Sequence, residues 1–276
     1  MSLVEQLALG VFLPAAVASL VMAVGIWRRS AWAGALGVAA GYVAGHLFVQ
    51  GMPRQPPIAA EDWLPTLAVL GVTVAFIDTS GPASKFGRWM VGLATVVATV
   101  LLLTNPMIVH FWSTGVTAGW LTGLIVGMSM IWAMVDATAS RNPGPLVPLI
   151  LGLLTAALAV VQGLSSSILL ARLSGAAAVT IVPLTFVTWR WPNARMVRGV
   201  LPVILVLYCG TLMAGFFYSN VSRGSALILA LAPASLVLTR VGRQRRVGVA
   251  LAVAVAWAGA VSAVGIAVVT ATPGEF

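Results

Sequence analysis

Ten apolar runs follow one another along the chain, at residues 7–27, 31–50, 63–77, 89–104, 113–135, 146–164, 166–189, 199–218, 224–239 and 247–270. A bilayer core of about 30 Å needs roughly 20 helical residues at about 1.5 Å each, and most of the runs meet that length. They lack the two-residue alternation of membrane barrel strands, so helix is the predicted state of each. Between them lie turn-rich pieces such as 51–57, 78–82 and 141–145, whose Pro and Gly end helices and whose polar groups seek water. The pattern therefore predicts an all-α polytopic transmembrane helix bundle of about ten helices. The third, fourth and ninth runs are short, which leaves room for local thinning or a re-entrant pair.

Basic residues test that count, because Lys and Arg are retained in cytoplasmic loops. Twelve of the fifteen fall in odd-numbered loops: Arg28, Arg29, Lys85, Arg88, Arg141, Arg190, Arg195, Arg198, Arg240, Arg243, Arg245 and Arg246. Arg54 and Arg223 fall in even-numbered loops, and Arg172 lies inside the seventh run. An error of one helix would scramble the alternation. The expected topology thus has both termini on the non-cytoplasmic side. Eight tryptophans at run ends, among them Trp27, Trp63, Trp89 and Trp189, agree with headgroup-level placement of indoles. Ten spans divide into five and five, and an odd number per half inverts the second relative to the first. One membrane domain over 1–276 is expected, and it admits two related inverted halves, 1–140 and 141–276, although no residue-level repeat is visible.

Composition narrows the class further. Hydrophobic residues make up 60% of the 276 and charged ones 8%, against roughly 25% charged in a soluble domain, so no large extramembrane domain is expected. The net charge of +9 comes from loop arginines rather than a basic soluble face, which excludes nucleic acid as a partner. The single cysteine, Cys209, excludes an internal disulfide and a cysteine metal cluster. Glu5 precedes the first run with no Lys or Arg, so that segment is not expected to be a cleaved signal peptide. Spans rich in Ala, Val and Leu, with Arg far outnumbering Lys, point to a bacterial inner membrane.

Candidate functional groups are few. Glycines recur every fourth residue as Gly37, Gly41 and Gly45 in the second run and as Gly115, Gly119, Gly123 and Gly127 in the fifth. That spacing puts each set on one helix face, where small residues let helices approach closely in lipid. Packing within the bundle is the plainer reading; contact with a second copy or another membrane subunit is the alternative. Ionisable groups within a bilayer are costly and mark function. Arg172 is suited to an anionic group in a cavity, or else to snorkelling towards the headgroups near Glu61 or Asp62. His46 and His110, the only histidines, come out on one side of the membrane and are candidate ligand-binding residues, although a two-histidine haem or metal site without a motif is the lesser reading. No metal and no cofactor is expected.

No Asp or Glu falls mid-span: Asp78 and Asp136 lie at cytoplasmic ends and Glu61 and Asp62 outside, so a buried carboxylate relay is not expected. Pro14, Pro183 and Pro233 interrupt apolar runs and free backbone carbonyls. Serine-hydrolase, metal-helix and phosphate-loop signatures are missing, and a non-enzymatic role is expected. Two functions fit: a permease or exporter for a small neutral or amphipathic solute, ranked first, and a non-catalytic transmembrane subunit of a larger complex.

Overall fold

A computed structural model describes residues 3–28, 30–54, 57, 59–80, 85–142, 144–192, 194–240 and 245–271. Arg29, Pro56, Gly81, Pro82, Pro143, Arg243 and Glu275 lie outside the described residues, as do the side chains of Glu5, Lys85, Arg195, Arg240, Arg245 and Arg246. The helices are α1 (Leu3–Trp27), α2 (Ala33–Gln50), α3 (Ala60–Ser80), α4 (Lys85–His110), α5 (Thr114–Ala139), α6 (Leu146–Leu164), α7 (Ile168–Arg190), α8 (Ala194–Tyr218), α9 (Arg223–Leu231) and α10 (Arg245–Thr270). α9 continues directly as a 3-10 helix, Ala232–Arg240. Among the described residues nine helices are long and apolar enough to cross a membrane, and α9 with its extension adds a shorter apolar segment, Arg223–Thr239. The chain is an all-α, multi-pass membrane helix bundle.

Two ends of the bundle are distinguishable. Asp78, Arg88, Asp136 and Arg198 meet at one, which we call the basic end. Glu61, Pro106, Ser167 and Tyr218 meet at the other.

α8 is the axis of the bundle. Its sequence is apolar all round, and such a helix has no polar face to offer water and is buried. Of its membrane-length stretch, 89% is enclosed, with α2, α3, α4, α5, α6, α7 and α9 packed around it. α5 is the opposite case, with 11% of its span enclosed. α2 packs against α7 and α3 against α8, and α1 with α2 and α6 with α7 form the two most closely packed pairs of helices. The last helices differ: α10 packs on the 3-10 segment, α6 and α9, whereas α5 packs on α4, the 3-10 segment and α8.

The segment formed by α9 and its extension is short in residues and long in rise. Pro233 has no N–H for the carbonyl of Leu229 four residues back, and its ring crowds that carbonyl, so the α-helix stops at Leu231. The following nine residues rise about 2.0 Å each instead of 1.5 Å, and α9 with its extension spans about 31 Å, where an all-α segment would reach about 27 Å. The stranded carbonyl of Leu229 accepts a hydrogen bond of 2.5 Å from the buried phenol of Tyr208 on α8. A second α8 tyrosine, Tyr218, donates to the Leu103 carbonyl at 2.7 Å, one turn before Pro106 of α4. α8 thus bonds through its tyrosines to the proline-bearing segments of α9 and α4. Tyr208→Phe leaves the Leu229 carbonyl with no donor, and a loss of about 1–2 kcal/mol is expected in mixed-micelle unfolding.

Run boundaries shift in a consistent direction. α3 begins at Ala60, so Glu61 and Asp62 are first-turn helical residues, and Asp62 is only 3% exposed where an external loop position was expected. α4 continues past Pro106 to His110. Both helices extend beyond the apolar run because backbone bonding does not stop where side chains become polar.

Candidate functional site

Four charged side chains converge at the basic end. Asp78 lies in the last turn of α3 and Asp136 in the last turn of α5; Arg88 lies in the first turn of α4 and Arg198 near the start of α8. Every one of these charges opposes its helix dipole, which favours anions at N-termini and cations at C-termini by about 0.3–1 kcal/mol each. Local helix stability therefore does not explain the placement of the quartet. Arg88 Nε is 3.7 Å from Asp78 Oδ1, and Arg198 Nε is 3.4 Å from Asp136 Oδ1. Both pairs are loose: Asp78 Oδ1 and Arg198 Nε are buried atoms without a hydrogen-bond partner.

These charges border a cavity of about 370 Å³ between α3, α4, α5 and α8. Behind them the walls turn apolar, with Trp89, Trp132, Val96 and Leu201, and Ser129 adds a buried hydroxyl that has no partner. Ser129 lies seven residues up α5 from Asp136, so the cavity reaches about 10 Å along the helix. Gly92 admits Trp132 to the wall, since a Cβ there would stand 3.2 Å from the indole nitrogen. At the other end of the same helix group, Trp112, Trp120, Phe216 and Phe217 form one aromatic cluster, with Trp112 and Trp120 stacked at 6.1 Å and each 5.4 Å from Phe217. The cavity lies at the basic end of this helix group and the aromatic cluster at the other.

The residues singled out from sequence lie elsewhere. Arg172 stands one turn into α7 with its side chain exposed. His110 ends α4, exposed, edge-on to Phe111. His46 is fully buried in α2, 6.1 Å ring to ring from Tyr42. No set of three metal-ligating side chains occurs among the described residues. The two glycine rows have different surroundings. A Cβ on Gly37 would lie 2.4 Å from Met22, one on Gly41 2.6 Å from the Pro14 carbonyl and 2.8 Å from Thr180, and one on Gly45 2.8 Å from Pro14 and 2.9 Å from Ala176. The row Gly115, Gly119, Gly123 and Gly127 has nothing within 4 Å.

The charged quartet was not singled out from sequence, because the arginines sit where topology alone requires them. One signal was present. Asp78 and Asp136 are the only two of the six acids that fall beside the odd-numbered loops, which hold twelve of the fifteen basic residues.

Fold and site together define a multi-pass helical membrane protein with a charge-rimmed cavity at one end. No known protein family, curated protein or solved structure matches the chain.

Proposed function

We propose that the chain is a permease for a small solute that is neutral overall and amphipathic, with a zwitterion carrying an apolar body as the best-fitting class. The observation that carries this reading is the charge-balanced quartet, two carboxylates and two guanidiniums held in loose pairs, at the mouth of an apolar cavity. A loose pair exchanges a weak partner for a strong one when a solute ammonium meets Asp78 or Asp136 and a solute carboxylate meets Arg88 or Arg198. The tryptophan-lined interior then takes the apolar part. The contact of α2 with α7 and of α3 with α8 suits two inverted halves moving about a shared axis. In this reading the aromatic cluster at the far end is the closed gate.

Thermal stabilisation of the purified protein by a panel of zwitterionic, cationic and anionic solutes tests the proposal. A solute at a hundredfold its Kd adds about 2.7 kcal/mol of apparent stability. Stabilisation by zwitterions alone is expected; a flat response across the panel removes the reading.

The same reading places the basic end in the cytoplasm of a bacterial inner membrane, on the retention of arginine there. Cys209 is buried, so introduced cysteines report without background. Met52 and Trp27 are 83% and 84% exposed at opposite ends. On intact spheroplasts an impermeant maleimide should label Met52→Cys and spare Trp27→Cys; the reverse pattern inverts the topology.

A second reading, a transmembrane subunit acting through its partners, is favoured by the open glycine row of α5. A row of four glycines over about 18 Å suits a second copy of that helix in close contact. Native mass spectrometry from nanodiscs separates the two, since a defined hetero-complex would assign the function to the partners.

A further inference from the structure

The end of the bundle opposite the charged cavity holds a polar column that the proposed solute site does not use. α2 carries Tyr42, His46 and Gln50 at four-residue steps, so phenol, imidazole and amide share one face and descend about 12 Å from the helix end. Tyr42 and His46 have no exposed surface. The Tyr42 hydroxyl, both His46 ring nitrogens and Gln50 Oε1 are buried without hydrogen-bond partners. At the top of the column Asp62 is 3% exposed; the Gln50 amide and the Ala59 N–H both donate to it at 3.4 Å. Through Gln50, Asp62 is tied to the column one helical turn from His46.

Several other buried hydroxyls in this bundle are satisfied by backbone carbonyls. Thr99, Thr155 and Thr211 return their hydroxyls to carbonyls of their own helices, and Tyr208 and Tyr218 bond to carbonyls beside prolines. An imidazole cannot fold back in that way. Left dry, each unpaired group is destabilising, and several in one column call for a polar occupant small enough to enter it. Water is such an occupant, and a neutral imidazole in contact with water has one nitrogen free to accept a proton.

We propose that Tyr42, His46, Gln50 and Asp62 form a hydrated column in which His46 binds a proton taken up from the end opposite the charged cavity, with Asp62 as counter-charge. The protonated pair is neutral as a whole, which is what allows the charge to form within the bundle. Every helix packed on α2 bears on this. α3 supplies Asp62 and Glu61; α1 carries no ionisable side chain over residues 10–27; α7 carries Arg172, exposed; and α8 carries Tyr208 and Tyr218, both bonded to carbonyls, and Cys209. Coupling of this proton to solute movement rests on the permease reading, whereas the protonation itself does not.

The chain has two histidines, so His110→Gln leaves His46 as the only imidazole. Nitrogen-15 histidine labelling of that variant in nanodiscs reads the ring directly, with no solute present. A doubly protonated signal is expected to grow as pH falls from about 8 to about 5. Adding Asp62→Asn should cut the charged-to-neutral ratio at a given pH by about tenfold. A ring that remains a single neutral tautomer down to that pH in the His110→Gln protein overturns the proposal without recourse to the second variant. So does a ratio unchanged by Asp62→Asn.

Discussion

Gly41→Leu is expected to prevent the bundle from forming, while Gly123→Leu leaves the folded monomer intact, although each replaces an interior glycine of a row with the same four-residue spacing. At Gly41 the first added carbon would already meet the Pro14 carbonyl, Thr180 and Ala18 at 2.6–2.9 Å. Two of those obstacles belong to α1 and one to α7, so relief means separating α2 from both. Overpacking of this kind costs about 3 kcal/mol or more, a large part of the stability of any domain. Around Gly123 the space is open, and a change within about 0.5 kcal/mol is expected. Mixed-micelle unfolding measures both variants. Native mass spectrometry of Gly123→Leu adds a separate result: an oligomer that disperses while the monomer stays folded supports the subunit reading, and an unchanged assembly counts against it.

Arg198→Gln is expected to abolish stabilisation by zwitterionic solutes at a small cost to the fold. The Arg198 and Asp136 side chains are 28% and 45% exposed, so their pair is screened by solvent and worth about 1 kcal/mol or less. Loss of a carboxylate contact within the cavity removes a charge-assisted bond to the solute, which is worth about 1.5–3 kcal/mol, or roughly tenfold to a hundredfold in affinity. The double variant Asp136→Asn with Arg198→Gln separates structure from binding. Its net charge is unchanged and its stability should sit near the parent's, yet solute response should stay absent. Full solute response in the double variant would mean that this pair serves only the fold.

Much of the architecture is legible in the sequence because lipid imposes one rule, that each apolar run must be a helix with its own backbone bonds satisfied. What the runs do not mark is where a helix continues into polar territory. Ala60, Glu61 and Asp62 form the first turn of α3, with Ala60 and Asp62 buried, and Asn105 to His110 extend α4, because side-chain polarity and backbone helicity are separate properties. Pro233 announces a break in the ninth run; its remedy does not appear locally, since the donor that caps Leu229 is Tyr208, on another helix. The charged cavity was hidden for the same reason. Pairing of Asp78 with Arg88 and of Asp136 with Arg198 depends on α3 meeting α4 and α5 meeting α8, and neighbour relations among helices leave little trace in runs of Ala, Val and Leu.

The enclosure of α8 also bears on the order in which the molecule is made. α2 ends at Gln50 and α8 begins at Ala194, so some 140 residues are synthesised between them, roughly 7–30 s at ordinary rates. During that interval the sides of α2 and α3 that α8 will cover have only lipid or a chaperone beside them. The ribosome delivers the central post of the building after most of its walls are standing. Biogenesis therefore depends on a socket that stays open on one flank, and any substitution that lets α2 and α3 close on each other early would trap the chain before its axis arrives.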